Sequence, residues 1–184
     1  MMFTGRVLAL DLATTTGWAY GTPGSIPQCG HLRFSKPGTS RAATYRVFRR
    51  WLDETWGARE EIPELIVYES PAVGMHMGGK TNVDTLKLLS GLAEHLEEWA
   101  YQKTELREAS VSQVRSHFIG QNLKSKIAKP MVFEQCLALG WEVETTDESD
   151  ACALWHYQCH WLSPKISAFP AHAMPLFRQR PGRI

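Results

Sequence analysis

The sequence predicts an α/β domain, a five-stranded mixed sheet flanked by helices. Two apolar, β-prone runs, Val7-Leu8-Ala9-Leu10 and Leu65-Ile66-Val67-Tyr68, read as strands buried on both faces, and each ends in a carboxylate, Asp11 and Glu69. Stretches of helical periodicity alternate with short strands between and after them. With 184 residues and 43% hydrophobic content, the chain suits one domain with a full-sized core.

The first strand runs from Arg6 to Asp11. Gly17-Trp18-Ala19-Tyr20-Gly21 sets large residues against small ones and reads as a second strand. After a turn at Thr22-Pro23-Gly24-Ser25, Cys29 to Phe34 reads as a third, closing a three-stranded meander. Lys36-Pro37-Gly38-Thr39-Ser40 is a loop whose Thr39 or Ser40 caps a helix reaching Trp56, with Val47, Phe48, Trp51 and Leu52 at helical spacing. Ile62-Pro63 breaks that pattern ahead of the fourth strand, and Ser70-Pro71 ends the strand, because proline stops ladder pairing.

Residues 72–80 form a Gly-rich loop. A long helix follows from Asn82 to Tyr101, with Val83, Leu86, Leu89, Leu92, Leu96 and Ala100 on one face. Leu106 to Ala109 is the fifth strand, and Val111 to Phe118 a short helix stopped by Gly120. The next helix starts near Lys126, with Ser125 as its cap and Pro130 tolerable only in its first turn, and Gly140 ends it. Thr145 or Thr146 caps a last helix that carries Asp147, Asp150 and Trp155. Residues 1–162 are therefore expected to form the domain, and residues 163–184 a Pro-rich basic tail without apolar periodicity. Trp51, Trp56, Trp99, Trp155 and Trp161 are expected to build core or a dimer seam.

No apolar run approaches the roughly 20 residues of a membrane span, and the N-terminus lacks the pattern of a secretory signal. The four cysteines form no CxxC pair and are too sparse for a disulfide scaffold, so the cytoplasm is the expected compartment. Cys152, His156 and Cys159 share one face of the last helix and could present zinc ligands, but no fourth ligand accompanies them and packing is the better reading.

Formal net charge is only +1, yet its distribution is uneven. Between Asp11 and Asp53 there is no acid, while Arg33, Lys36, Arg41, Arg46, Arg49 and Arg50 all fall there. A basic segment beside clustered carboxylates suits a polyanion steered toward a metal-binding acidic site, against the plainer reading of a solvated helix face. Asp11 and Glu69 need a partner, since an isolated buried charge is expensive. Asp147 and Asp150, at i and i+3, share a helix face in a first turn that favours negative charge in any case. If the first and fourth strands are neighbours, Asp11 and Glu69 stand side by side at the carboxyl ends, where ligands bind in open α/β sheets. Hard oxygen donors select Mg²⁺ or Mn²⁺, and two such ions roughly 3.5–4 Å apart serve phosphoryl transfer.

The segments Leu8-Ala9-Leu10-Asp11-Leu12-Ala13-Thr14-Thr15-Thr16-Gly17-Trp18, Ile66-Val67-Tyr68-Glu69-Ser70-Pro71 and Asp147-Glu148-Ser149-Asp150-Ala151-Cys152-Ala153-Leu154 together resemble the RuvC family of Holliday-junction resolvases. The likeness extends through residues 85–93 and 114–120, covers residues 5 to about 160, and in length and spacers looks more like phage-type or stand-alone members. It implies a ribonuclease-H-like fold, a homodimer, dependence on Mg²⁺ with Mn²⁺ as a substitute, and paired nicks across a four-way DNA junction. Carried over, Asp11, Glu69, Asp147 and Asp150 would be the catalytic metal ligands. The family also uses a lysine at the start of the helix after the fifth strand, for which Lys126 fits best and Lys124 next.

The chain departs from the family in two places. Ala13 stands where a Gly is common, and Met75, His76 and Met77 stand where the family carries an aromatic wedge for junction DNA. The candidate DNA contacts are Arg41, Arg46 and Arg49, the loop residues Met75, His76, Met77 and Lys80, and Arg115 and Lys124. Rival readings are a broader flap or fork nuclease, a non-catalytic DNA-binding relative, and an actin-like ATPase, for which 184 residues are too few.

Overall fold

Side chains along β1 (Val7–Asp11) alternate between two cores. Val7 and Ala9 join one, Leu8 and Leu10 the other. β4 (Leu65–Glu69) does the same, Leu65 and Val67 on the first side, Ile66 and Tyr68 on the second. The two-residue pleat combined with cover on both faces explains why these strands read as unbroken apolar runs.

The protein is described by a computed structural model covering residues 3–58, 60, 62–70 and 83–166. The remaining elements are β2 (Thr15–Gly21), β3 (Gln28–Arg33), α1 (Arg41–Trp56), α2 (Val83–Ala100), β5 (Glu105–Ala109), α3 (Val111–Phe118), α4 (Ser125–Ala138) and α5 (Thr146–Leu162). The sheet order is β3-β2-β1-β4-β5. β1 is antiparallel to β2 and parallel to β4, β4 is parallel to β5, and β3 is antiparallel to β2. The sheet is thus mixed and five-stranded, as expected, with the first and fourth strands paired at its centre. α1 and α2 cover the Leu8/Leu10 face through Phe48, Leu52, Leu92, Leu96 and Trp99. α3, α4 and α5 cover the other, where Ala151 to Trp155 of α5 are all buried.

α5 is the element that fixes the site, and its start is strongly specified. Thr145 Oγ1 accepts from the Glu148 amide at 3.3 Å, and Glu148 Oε2 accepts from the amides of Thr145 at 3.2 Å and Glu144 at 2.5 Å. This capping box settles the cap on Thr145 and with it the phase of Asp147 and Asp150. His31 on β3 holds the same carboxylate through Nδ1 at 2.7 Å from Glu148 Oε1. Gly17, paired with Asp11 in the β1–β2 ladder, lets the first turn of α5 settle on β2, because a side chain there would collide with the Asp147 carbonyl.

α4 differs from expectation. Ser125 is its first helical residue and Lys124 its N-cap, without a side-chain capping bond. The Ser125 hydroxyl instead accepts from Arg115 at 3.1 Å. Pro130 lies in the second turn, not the first, where it offers no N–H to the Lys126 carbonyl. The turn after Asp11 closes without glycine: Ala13 has no left-handed backbone, and Thr16 Oγ1 bonds both its amide, at 3.2 Å, and its carbonyl, at 2.9 Å. Trp56, Trp99 and Trp155 are core, whereas Trp161 is 64% exposed. Ser163, expected to open the tail, is buried and donates to the Phe3 carbonyl at 2.8 Å, and Ile166 packs over Gly24. Tail residues 167–184 lie outside the described residues. Among the described residues no helix is long and apolar enough to cross a membrane.

A carboxylate cluster as candidate active site

Strand alternation decides where the acids point. Asp11 continues the Val7/Ala9 series and Glu69 the Leu65/Val67 series, so both face α3, α4 and α5. They follow directly on the paired Leu10 and Tyr68, at the carboxyl ends of adjacent parallel strands. Asp150, buried in the first turns of α5, and Asp147, one turn earlier, lie on that side of the sheet and put their charge on Asp11. The four side chains come from three separate elements.

Their fields overlap. Burial, and then the Asp150 charge, push Asp11 up to about 7. Burial, and then the Asp11 and Asp150 charges, push Glu69 up to about 8. Burial also raises Asp150, against the pull of Lys129. Two unit charges 4 Å apart repel by about 4 kcal/mol near a protein surface, so such a group holds protons at neutral pH or calls for a compensating cation.

Part of that cation comes from the protein. Lys129 of α4 places Nζ 3.0 Å from Asp150 Oδ2 and 3.6 Å from Asp147 Oδ1. Burial would lower its ammonium, but Asp150, Asp11 and Asp147 hold it above the ordinary lysine value. Arg115 of α3 adds positive charge acting on Asp11, Glu69 and Asp150. Its guanidinium also donates to the Leu123 carbonyl at 3.3 Å and the Ser125 hydroxyl, which anchors the start of α4.

The donor chemistry fits a hard divalent cation. Every candidate ligand is a carboxylate oxygen, and three of them are raised by burial and by one another. As placed, no three acidic, histidine or cysteine side chains among the described residues stand close enough to share one ion.

Comparison with solved structures agrees with this architecture. Thermus thermophilus RuvC in complex with a Holliday junction substrate superposes with a TM-score of 0.62 at 11% identity, over 85% of this chain and 94% of that one. The fold is RuvC-like. A second Thermus thermophilus RuvC structure gives a TM-score of 0.57 at 13% identity, over 85% of this chain and 95% of that one. The yeast mitochondrial Holliday junction resolvase Ydc2 gives 0.50 at 16% identity, over 88% and 80%. No protein-family model and no curated protein matches the sequence.

On this RuvC-like fold the sequence-derived residues divide into groups. Asp11, Glu69 and Asp150 lie near enough to raise one another, and Asp147 adds its charge at Asp11 and Asp150, though as placed no three of them share an ion site. Lys126 and Lys124 do not reach them: both are exposed, and Lys129 is the lysine in contact with the acids. Helical phase was the available signal. With Ala128, Val132 and Cys136 on the buried stripe, Lys129 borders it and Lys126 turns away. Arg41 pairs with Asp84 at 2.9 Å, Arg49 with Glu98 at 2.8 Å and Asp53 at 3.7 Å, and Arg46 is exposed on α1. Met75, His76, Met77 and Lys80 lie outside the described residues. His31, the second anchor of Glu148, carries no sequence signal, because its partner is 117 positions away. Cys152 and Cys159 are fully buried in the core, and the His156 ring lies 5.1 Å from that of His117.

Proposed function

We propose that the protein is a divalent-metal-dependent endonuclease of branched DNA that resolves four-way junctions by paired nicks. The observation that carries this reading is the convergence of Asp11, Glu69, Asp147 and Asp150 at one end of the sheet on a RuvC-like fold. The Thermus thermophilus protein of that fold is seen with a Holliday junction substrate, which makes such DNA the first substrate to test.

The four carboxylates are the residues that would hold Mg²⁺ or Mn²⁺. When bound, a pair of such ions activates water and stabilises the leaving oxygen of a phosphodiester. Asp11 and Glu69 present oxygens from a rigid sheet, and the capped α5 fixes Asp147 and Asp150 against them. Lys129 holds an ammonium beside the acids, where it offsets their charge and can donate to a phosphate oxygen. A two-fold junction is matched by an isologous dimer in which each subunit cuts one strand.

The test is incubation with labelled four-way junction, flap and linear duplex, with and without Mg²⁺ or Mn²⁺. Symmetric nicks confined to the junction and dependent on metal support the reading. Cleavage of flaps at equal rate would make the protein a broader branched-DNA nuclease, and no cleavage of any substrate would contradict it. Asp11→Asn should abolish cleavage while leaving junction binding within about threefold of wild type, since phosphate contacts dominate affinity.

A further inference from the structure

Asp11 and Glu69 lie at one end of the sheet, and β3, antiparallel to β2, runs toward that same end. A cavity of about 300 Å³ opens there, on the side covered by α1 and α2. Its charged walls are Arg33, Lys36 and Arg41 against a single acid, Asp84, and its hydroxyl residues are Thr14, Ser35, Thr39, Thr44 and Thr85.

The walls are braced. The Phe34 amide donates to the Thr14 carbonyl at 2.9 Å, which stitches the turn after Asp11 to the end of β3. The Lys36 amide donates to Thr39 Oγ1 at 3.1 Å and the Thr39 amide to the Lys36 carbonyl at 3.0 Å, which closes the loop carrying Lys36. Arg33 Nε donates to the Ser35 carbonyl at 2.8 Å, which orients its guanidinium. The Arg41–Asp84 pair is exposed on both sides, and exposed pairs are worth about 0–1 kcal/mol, so a phosphate can take over the guanidinium.

Thr14 is three residues beyond Asp11, at most about 10 Å of chain. A larger groove of about 560 Å³ along α1 is less suited, because Asp53 and Glu98 line it and occupy Arg49.

We propose that the Arg33/Lys36/Arg41 cavity is a phosphodiester subsite, which grips the DNA backbone at the sheet end that carries Asp11 and Glu69, on the opposite face from their side chains. The proposal rests on the nuclease reading and adds to it a defined contact with the DNA backbone. Recognition is by charge and hydroxyl donors, so it is indifferent to base sequence.

The test uses the full chain without divalent metal and a fluorescent four-way junction, with anisotropy read from 50 to 200 mM salt. Arg33→Gln and Lys36→Gln should each reduce the slope of log affinity against log salt by about 1 and weaken binding several-fold. Arg107→Gln, on β5 at the opposite sheet edge, is the control and should behave as wild type. Pocket variants with the wild-type slope, or no different from the control, would overturn the proposal while leaving the nuclease reading intact. A wild-type protein that binds no junction at any of these salts would overturn both. A calorimetric titration with inorganic phosphate separates the remaining source. Saturable binding lost in Lys36→Gln, with junction affinity unchanged, would make the cavity a free-anion site and refute the DNA contact.

Discussion

Gly17 abuts the backbone carbonyl of Asp147 so closely that a methyl group would strike it. Because Gly17 is also the ladder partner of Asp11, one missing side chain sets the distance between the sheet acids and the helix acids. Gly17→Ala must push the first turn of α5 off β2. Overpacking of this kind costs about 1–3 kcal/mol, and a displacement near 1 Å at a reacting centre costs on the order of 100-fold in rate. The expected outcome is a folded protein with a lower melting temperature and at least tenfold slower junction cleavage, measured by thermal denaturation and single-turnover kinetics.

Lys129 and Lys126 are one helical turn apart, and only the former touches the acids. Lys129→Met should lower cleavage by about 10²–10³, in the range seen when one preorganised charge donor is removed, with junction binding little changed. Lys126→Met should stay within about threefold of wild type. Rates measured at saturating protein distinguish the two lysines.

The raised carboxyls make the metal-free protein lose stability as pH rises. Asp11 and Glu69 ionise near pH 4 when unfolded but at about 7 and 8 when folded, so the folded state holds more protons between those limits. Their stabilising contribution is complete below pH 4 and lost by pH 8. Asp11→Asn removes one of the two raised carboxyls and should stabilise the metal-free protein at pH 8, by on the order of 3 kcal/mol in urea denaturation. At pH 4 the two proteins should be equally stable.

His117 should titrate far from the ordinary imidazole range. Burial, with His160 4.7 Å away ring to ring, lowers it to about 4. Its depressed value adds stability above pH 6.5 that is lost as pH falls toward 4, opposite in sign to the carboxylates. The His117 ring resonance in an NMR pH titration should remain in its neutral position down to about pH 5.

Much of this was readable in the residues themselves. The unbroken apolar runs of β1 and β4 announced strands covered on both faces, and their period of two already directed Asp11 and Glu69 to one side. Thr145 with Glu148 three residues later marked the start of α5. The sequence did not expose what depends on tertiary contact. Ser125 looked like a cap but serves Arg115 as the first helical residue. The buried stripe of α4 at Ala128, Val132 and Cys136, by contrast, could have selected Lys129 over Lys126. The roles of Gly17 and His31 arise from contacts with residues 130 and 117 positions away, which no local pattern encodes.

The most direct test of the carboxylate cluster is a Mn²⁺ titration of the full chain at pH 8, followed by electron paramagnetic resonance. Two Mn²⁺ ions bound per chain in the wild type, with binding lost in Asp11→Asn and weakened in Asp150→Asn, is the expected result. Wild-type protein that binds no Mn²⁺, or an Asp11→Asn variant that binds it as well as wild type, would contradict a metal site built from these four acids.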